Sequence, residues 1–345
     1  MPRPSSPKRP PLPREWYRPT ALGFTGYLLS SIAWLPVFGM AAYWTYLTDW
    51  PMWQRVLIMA PLIVLAGHGF HMIGWLAHEG VHLSLLRSKY WSMGVACFVG
   101  AATTFTALGY GITHWNHHRY TNQESDPDTH IYPRFKRFWP RFLFSRITAN
   151  SGYTRNTIRV ALNLPIDKGY RIPFTDGWTR FFAIFTIISV LFWLGMYGLI
   201  AYHRPDYFFI AIILPFLTAL PATGLRIYVE HAGTHGGIYT NTRSYISPFW
   251  TFVMFGNNMH LEHHIYPTVP AYYLPRVHKF LASSGVYAEH GAHITEGVLA
   301  PLAFLGERYH YPEPQEKDLI ADPFQMEVAT EPSAPESQAA SSDDR

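Results

Sequence analysis

The chain has 345 residues, 48% apolar and only 14% charged, with a formal net charge of +4 and a pI near 9.0. Charge this far below the quarter or so of typical soluble domains excludes a largely disordered or charge-driven protein (about 25% is usual). A single cysteine, Cys97, excludes an internal disulfide framework and any thiolate zinc or iron–sulfur site, which need several Cys.

In chain order, residues 1–19 come first, with six prolines in the first thirteen positions and five Lys or Arg. They read as a disordered Pro/Arg-rich tail. A signal peptide is not expected, because the apolar run that follows is too long and no small-residue cleavage site closes it. Charge-free runs then recur at Thr20–Thr48, Val56–Ala77, Phe181–Tyr202 and Tyr207–Leu225. A bilayer core about 30 Å thick needs about 20 helical residues at a rise of about 1.5 Å. Four such runs predict an all-α integral membrane protein with four transmembrane helices in two hairpins. A membrane domain over residues 20–312 would carry a cytosolic cap. Residues 313–345, rich in Glu, Pro, Ser and Ala, read as a disordered tail.

Basic residues set the orientation. All 27 Lys and Arg except Arg55 and Arg204 fall on one side of this hairpin scheme. Positive residues stay cytoplasmic, so both termini are expected inside. The high pI then reflects topology and contact with anionic lipid rather than nucleic acid.

The 18 histidines are the second unusual feature. Eight form three clusters: His78 and His82; His114, His117 and His118; His260, His263 and His264. Spacings of three and four place side chains on one helix face, so each cluster aims imidazoles at one point. Imidazole suits Fe, Zn, Cu and Ni. Eight rings exceed what one ion takes, so two metals sharing them is the economical reading. All clusters lie just beyond apolar runs, on the side assigned as cytosolic. That side assignment requires Trp91–Ile112 not to cross the membrane; one interfacial or re-entrant helix is expected there. Ligating histidines usually donate their other N–H to a carboxylate or carbonyl. Glu79, Asp126, Asp128, Glu230 and Glu262 are candidates for that role, and Asn257 or Asn258 for a water-bridged one. His68 and His71, inside an apolar helix, either line a substrate tunnel or hydrogen-bond a neighbouring helix. His203, His278, His290, His293 and His310 read as peripheral.

The HxxxH, HxxHH and HxxHH boxes, in this order around two hairpins, resemble those of the membrane fatty acid desaturase superfamily. The likeness extends to Tyr120-Thr-Asn122 and Asp126-Pro-Asp128 after the second box. It continues through Asn257–Pro267 around the third box, with Pro270 and His278. It covers about Thr20 to Leu281. The resemblance implies a non-haem diiron centre on cytosolic histidines, O2 as co-substrate, two electrons from a redox partner and a role in lipid and fatty acid metabolism. It also implies a ninth histidine some thirty residues before the third box; His231 fits that place, with His235 one turn on as the rival. The membrane would be the plasma membrane in a bacterium, or the endoplasmic reticulum or plastid in a eukaryote.

Desaturation of a long-chain fatty acyl group is the leading expectation. Hydroxylation or ketolation of a carotenoid or other lipid is the alternative on the same scaffold. A metal transporter would place its ligands within the bilayer, and a bis-histidine haem protein would need facing membrane histidines, for which only His68 and His71 offer a hint. With no His-Pro-Gly-Gly, no cysteine set and no GxGxxG in the sequence, a separate ferredoxin or cytochrome b5 with its reductase is the expected donor. The basic stretch 119–180 is either a docking surface for it or a contact with the membrane surface.

Overall fold

The computed structural model describes residues 9–128, 137–166 and 173–309. The first apolar run folds as α1 (Ala21–Ile32) and α2 (Trp34–Tyr46) with a break at Ala33. Thr20 starts α1 by accepting from the Gly23 N–H at 3.1 Å, which satisfies one of the donors a helix start leaves free. α3 (Met52–Val81) returns beside α2. Its 30 residues reach about 45 Å, enough to cross a bilayer core and project past it.

The segment expected as one interfacial or re-entrant helix folds instead as two, α4 (Lys89–Ala101) and α5 (Ala107–Tyr120). Thr104 between them adopts a left-handed φ of 56°, which no helix continues through. At about 20 Å each, neither helix is long enough to span. α6 (Phe138–Ala161) then lies across α5, and α7 (Asp176–His203) leads to the second hairpin. Its return limb is α8 (Pro205–Phe208), a π turn at Phe209–Ile213, and α9 (Leu214–His231).

Among the described residues, four helical stretches are long and apolar enough to cross a membrane: Ala21–Tyr46, Met52–Val81, Asp176–His203 and Pro205–His231. They coincide with the four charge-free runs. Leu57, Val64, Leu191 and Leu199 on them stay exposed, as on helices that are apolar all round and face lipid.

The helices meet closely where glycine permits. A Cβ on Gly67 of α3 would lie 2.7 Å from the Pro215 carbonyl oxygen of α9, and one on Gly109 of α5 would collide with the Tyr153 carbonyl of α6. These approaches seat α3 against α9 and α5 against α6, short of the C-terminal ends of α3, α5 and α9. The cap over those ends is built from β1 (Arg243–Ile246), α10 (Pro248–Val253), α11 (His260–Ile265), α12 (Leu274–Ser283), α13 (Val286–Glu289) and β2 (His293–Glu296). β1 and β2 pair in parallel, Arg243 opposite His293.

Residues 9–19, expected within the disordered N-terminal tail, pack on this cap. Arg9 donates to the Ile265 carbonyl at 2.7 Å, and the Tyr266 hydroxyl donates to the Pro10 carbonyl at 2.6 Å. Leu12 is buried and Trp16 meets Phe280 edge-on. Proline keeps such a strap extended without N–H groups to satisfy, and the apolar side chains give it a surface to bury. The expected tails at 1–8 and 313–345 lie outside the described residues, as does His310.

Candidate metal centre

Four helix ends deliver the histidines. His78 sits in the last turn of α3 and His82 caps it; His114, His117 and His118 occupy the last turns of α5; His231 ends α9; His260, His263 and His264 make up half of α11. The spacing of three and four keeps each set on one face. None of the nine is more than 8% exposed.

They converge into two neighbouring groups. His78, His82, His114, His118 and His263 each offer a ring nitrogen, all within 4.8 Å of one another. His117, His231 and His264 form a second group of the same tightness. His260 joins it, its Nε2 3.1 Å from His231 Nε2. His118 and His264, with ring centroids 4.0 Å apart, bridge the groups.

Nitrogen meets nitrogen at 2.9 Å between His78 and His114 and at 3.0 Å between His114 and His118. Both ring nitrogens of His82 and His263, and Nε2 of His264, are buried with no hydrogen-bond partner among the described residues. Burial first, then neighbouring rings, holds His82, His114, His118, His260 and His264 well below their ordinary pKa. Burial and the charge of Arg226 bring His263 to about 3. Neutral lone pairs packed this closely, without donors to satisfy them, fit metal cations. A profile of the fatty acid desaturase family matches residues 53–297, more than half of the chain and every histidine cluster.

The chain belongs to the fatty acid desaturase family. It is therefore a membrane oxidoreductase of a superfamily that is typically iron-dependent. Comparison with curated proteins returns no match.

Around the histidines of this desaturase-family protein lie buried carboxylates, and one of them, Asp126, hydrogen-bonds a ring. His117 Nδ1 donates to Asp126 at 3.0 Å, with Asp128 3.6 Å away. Burial opposes charge on His117, but Asp126 and Asp128 outweigh it and lift the ring to about 9. Asp126 is itself held by the backbone N–H groups of Asn122 and Asp128. The Thr121 hydroxyl donates to the His117 carbonyl, leaving its oxygen to accept from His264 Nδ1 at 3.3 Å. Glu79 lies 3.7 Å from His78 and 3.8 Å from His263. Glu230 lies 3.7 Å from His260 and accepts from Arg226 at 2.7 Å.

Glu262 and Asn257 differ from expectation. Glu262 turns away from the cluster and takes 2.5 Å hydrogen bonds from His278, Tyr287 and Ser244. Those donors outweigh the cost of burial and keep its pKa below the ordinary carboxylate value. It anchors α11 as a body rather than orienting one ring. His278, read from sequence as peripheral, is half of that anchor; an exposed-looking Arg-Val-His-Lys context conceals a histidine one turn from the buried face of α12. Asn257 donates to the Tyr27 hydroxyl and the Met254 carbonyl and, among the described residues, hydrogen-bonds no cluster histidine. Asn258 bonds the Tyr245 carbonyl instead.

His231 enters the cluster, whereas His235 belongs to neither group. His68 bonds the Val253 carbonyl at 3.0 Å, and His71 accepts from Trp75 at 2.9 Å while also lining a cavity. Arg226 was not among the sequence-derived candidates. Its guanidinium lies 3.3 Å from the centre of the Trp75 ring, which sits 4.4 Å from His78. The available signal was its spacing of four from Glu230 on an otherwise apolar helix.

Proposed function

We propose that this protein introduces a double bond into a long-chain fatty acyl group at a non-haem diiron centre. His78, His82, His114, His118 and His263 hold one iron, and His117, His231, His260 and His264 the other. One substrate CH2–CH2 unit, O2, two electrons and two protons give CH=CH and two waters. The observation that carries this reading is that both imidazole groups border one cavity, whose far wall is Phe70, Phe216 and Leu220.

Iron bound there supplies the oxidising power that an unactivated C–H bond demands and that no side chain has. The protein's own residues bind, orient and keep water out. Asp126 and Thr121 fix the rings of His117 and His264 so that the opposite nitrogen faces the metal. Phe70 and Phe216, edge to face at 5.7 Å, close the apolar end. His78 and Phe70 are separated by eight residues of α3, about 12 Å, so the substrate runs from the cluster toward the membrane.

The electrons come from a separate ferredoxin or cytochrome b5 with its reductase. The histidines and both termini face the cytosol, as the distribution of Lys and Arg indicates. Mass spectrometry of lipids from a host with and without the protein tests the reading. New unsaturation that vanishes with His117→Ala, while the variant remains in the membrane, is expected. Oxygenated lipid in its place would favour hydroxylation, and an unchanged lipid profile would contradict both.

A further inference from the structure

The cavity beside the histidines has a polar wall that the oxidation of a hydrocarbon chain leaves unexplained. α6 contributes Arg146 and Asn150, four residues apart and so on one face. Arg146 lies 4.7 Å from the centre of the Phe105 ring, and among the described residues it has no carboxylate partner. The two acids that also line the cavity are engaged: Glu230 with Arg226 and Asp128 with His117. The Asn150 side-chain oxygen is buried with no hydrogen-bond partner among the described residues. An unpaired cation beside an unsatisfied amide, both facing a cavity, is an arrangement that a polar ligand completes.

Distance makes this wall relevant to the chemistry. Phe105 lies 4.9 Å from Tyr110, and Tyr110 stacks on His114 at 4.3 Å. Arg146 is thus three ring contacts from a metal-binding histidine. The cavity holds about 80 Å³ of free space, well under the roughly 300–1,000 Å³ of pockets that engulf a whole ligand. Only a segment of an amphiphile fits.

Resting on the reading of this cavity as the substrate site, we propose that Arg146 and Asn150 bind an anionic oxygen group of the substrate, a carboxylate or phosphate. The polar end of the lipid enters the protein rather than remaining at the membrane surface. Its chain then passes the histidines toward Phe70 and Phe216. Arg146 and Asn150 determine specificity, selecting an acidic amphiphile and setting which carbon lies beside the metals.

Binding of three twelve-carbon probes to the purified full-length protein tests this by tryptophan fluorescence. Laurate and dodecyl phosphate carry the anion; dodecanol does not. At least one anionic probe is expected to bind roughly tenfold tighter than dodecanol. Tighter laurate identifies a free acid and tighter dodecyl phosphate a phospholipid-type head; either supports the proposal. Arg146→Gln is expected to erase the difference, and Arg146→Lys to keep part of it through the retained charge. Equal affinities of all three probes for the unaltered protein would overturn the proposal, with no variant needed. So would an anion preference that survives in Arg146→Gln. Binding needs no turnover, so an unchanged host lipid profile would defeat the oxidation reading alone.

Discussion

At the scale of single residues, the histidine cluster couples metal to protons. A metal takes the neutral ring, yet Asp126 and Asp128 hold His117 at about 9 in the metal-free protein. His117 is therefore protonated at pH 7, and binding iron must displace that proton. Calorimetry of Fe(II) binding in buffers of different ionisation enthalpy should show release of about one proton per chain from this ring. Asp126→Asn should reduce the release, because the ring then returns toward its ordinary value near 6.5. A binding enthalpy independent of buffer would contradict the assignment. His231 and His235 separate as cleanly: His231→Ala should lose iron, whereas His235→Ala should keep a full complement. The eight box histidines were legible because spacings of three and four on a helix already state where side chains point. Arg226 and His278 were not, because their partners Trp75 and Glu262 lie on other elements and nothing local marks the pairing.

At the scale of elements, α11 has only six residues yet presents three histidines. A helix that short has little stability of its own. The Glu262 carboxylate ties it to α12, α13 and β1 through His278, Tyr287 and Ser244, and the strap at Arg9 and Pro10 holds its far end. Glu262→Ala should remove all three bonds, leaving His278 and Tyr287 only each other at 3.3 Å and the buried Ser244 hydroxyl without its acceptor, at a cost of about 1–3 kcal/mol for that orphaned group. A lower unfolding temperature together with partial iron loss is the expected result. His278→Ala should show the same pattern more weakly, and unchanged iron and melting in both would show that α11 holds its place unaided. The number of helices between the first two boxes was not legible, since the turn at Thr104 carries neither Gly nor Pro to announce it.

At the scale of the whole molecule, the hairpins were legible because a charge-free run of about twenty residues matches the thickness of a bilayer core and is seldom needed inside a soluble domain. The convergence was harder to read: the close contacts of α3 with α9 and of α5 with α6 depend on Gly67 and Gly109, which local sequence does not link to their partners. The rings of His82 and His114 lie 4.9 Å apart, so on the proposed topology the α4–α5 segment starts and ends on one face of the membrane. Single cysteines at positions 86 and 124 should therefore label from the same side; labelling from opposite sides would contradict the topology. Elemental analysis with an absorption spectrum of the purified protein should find about two Fe per chain and no haem band, as the proposed diiron centre requires. A single zinc per chain, or a Soret band, would contradict it.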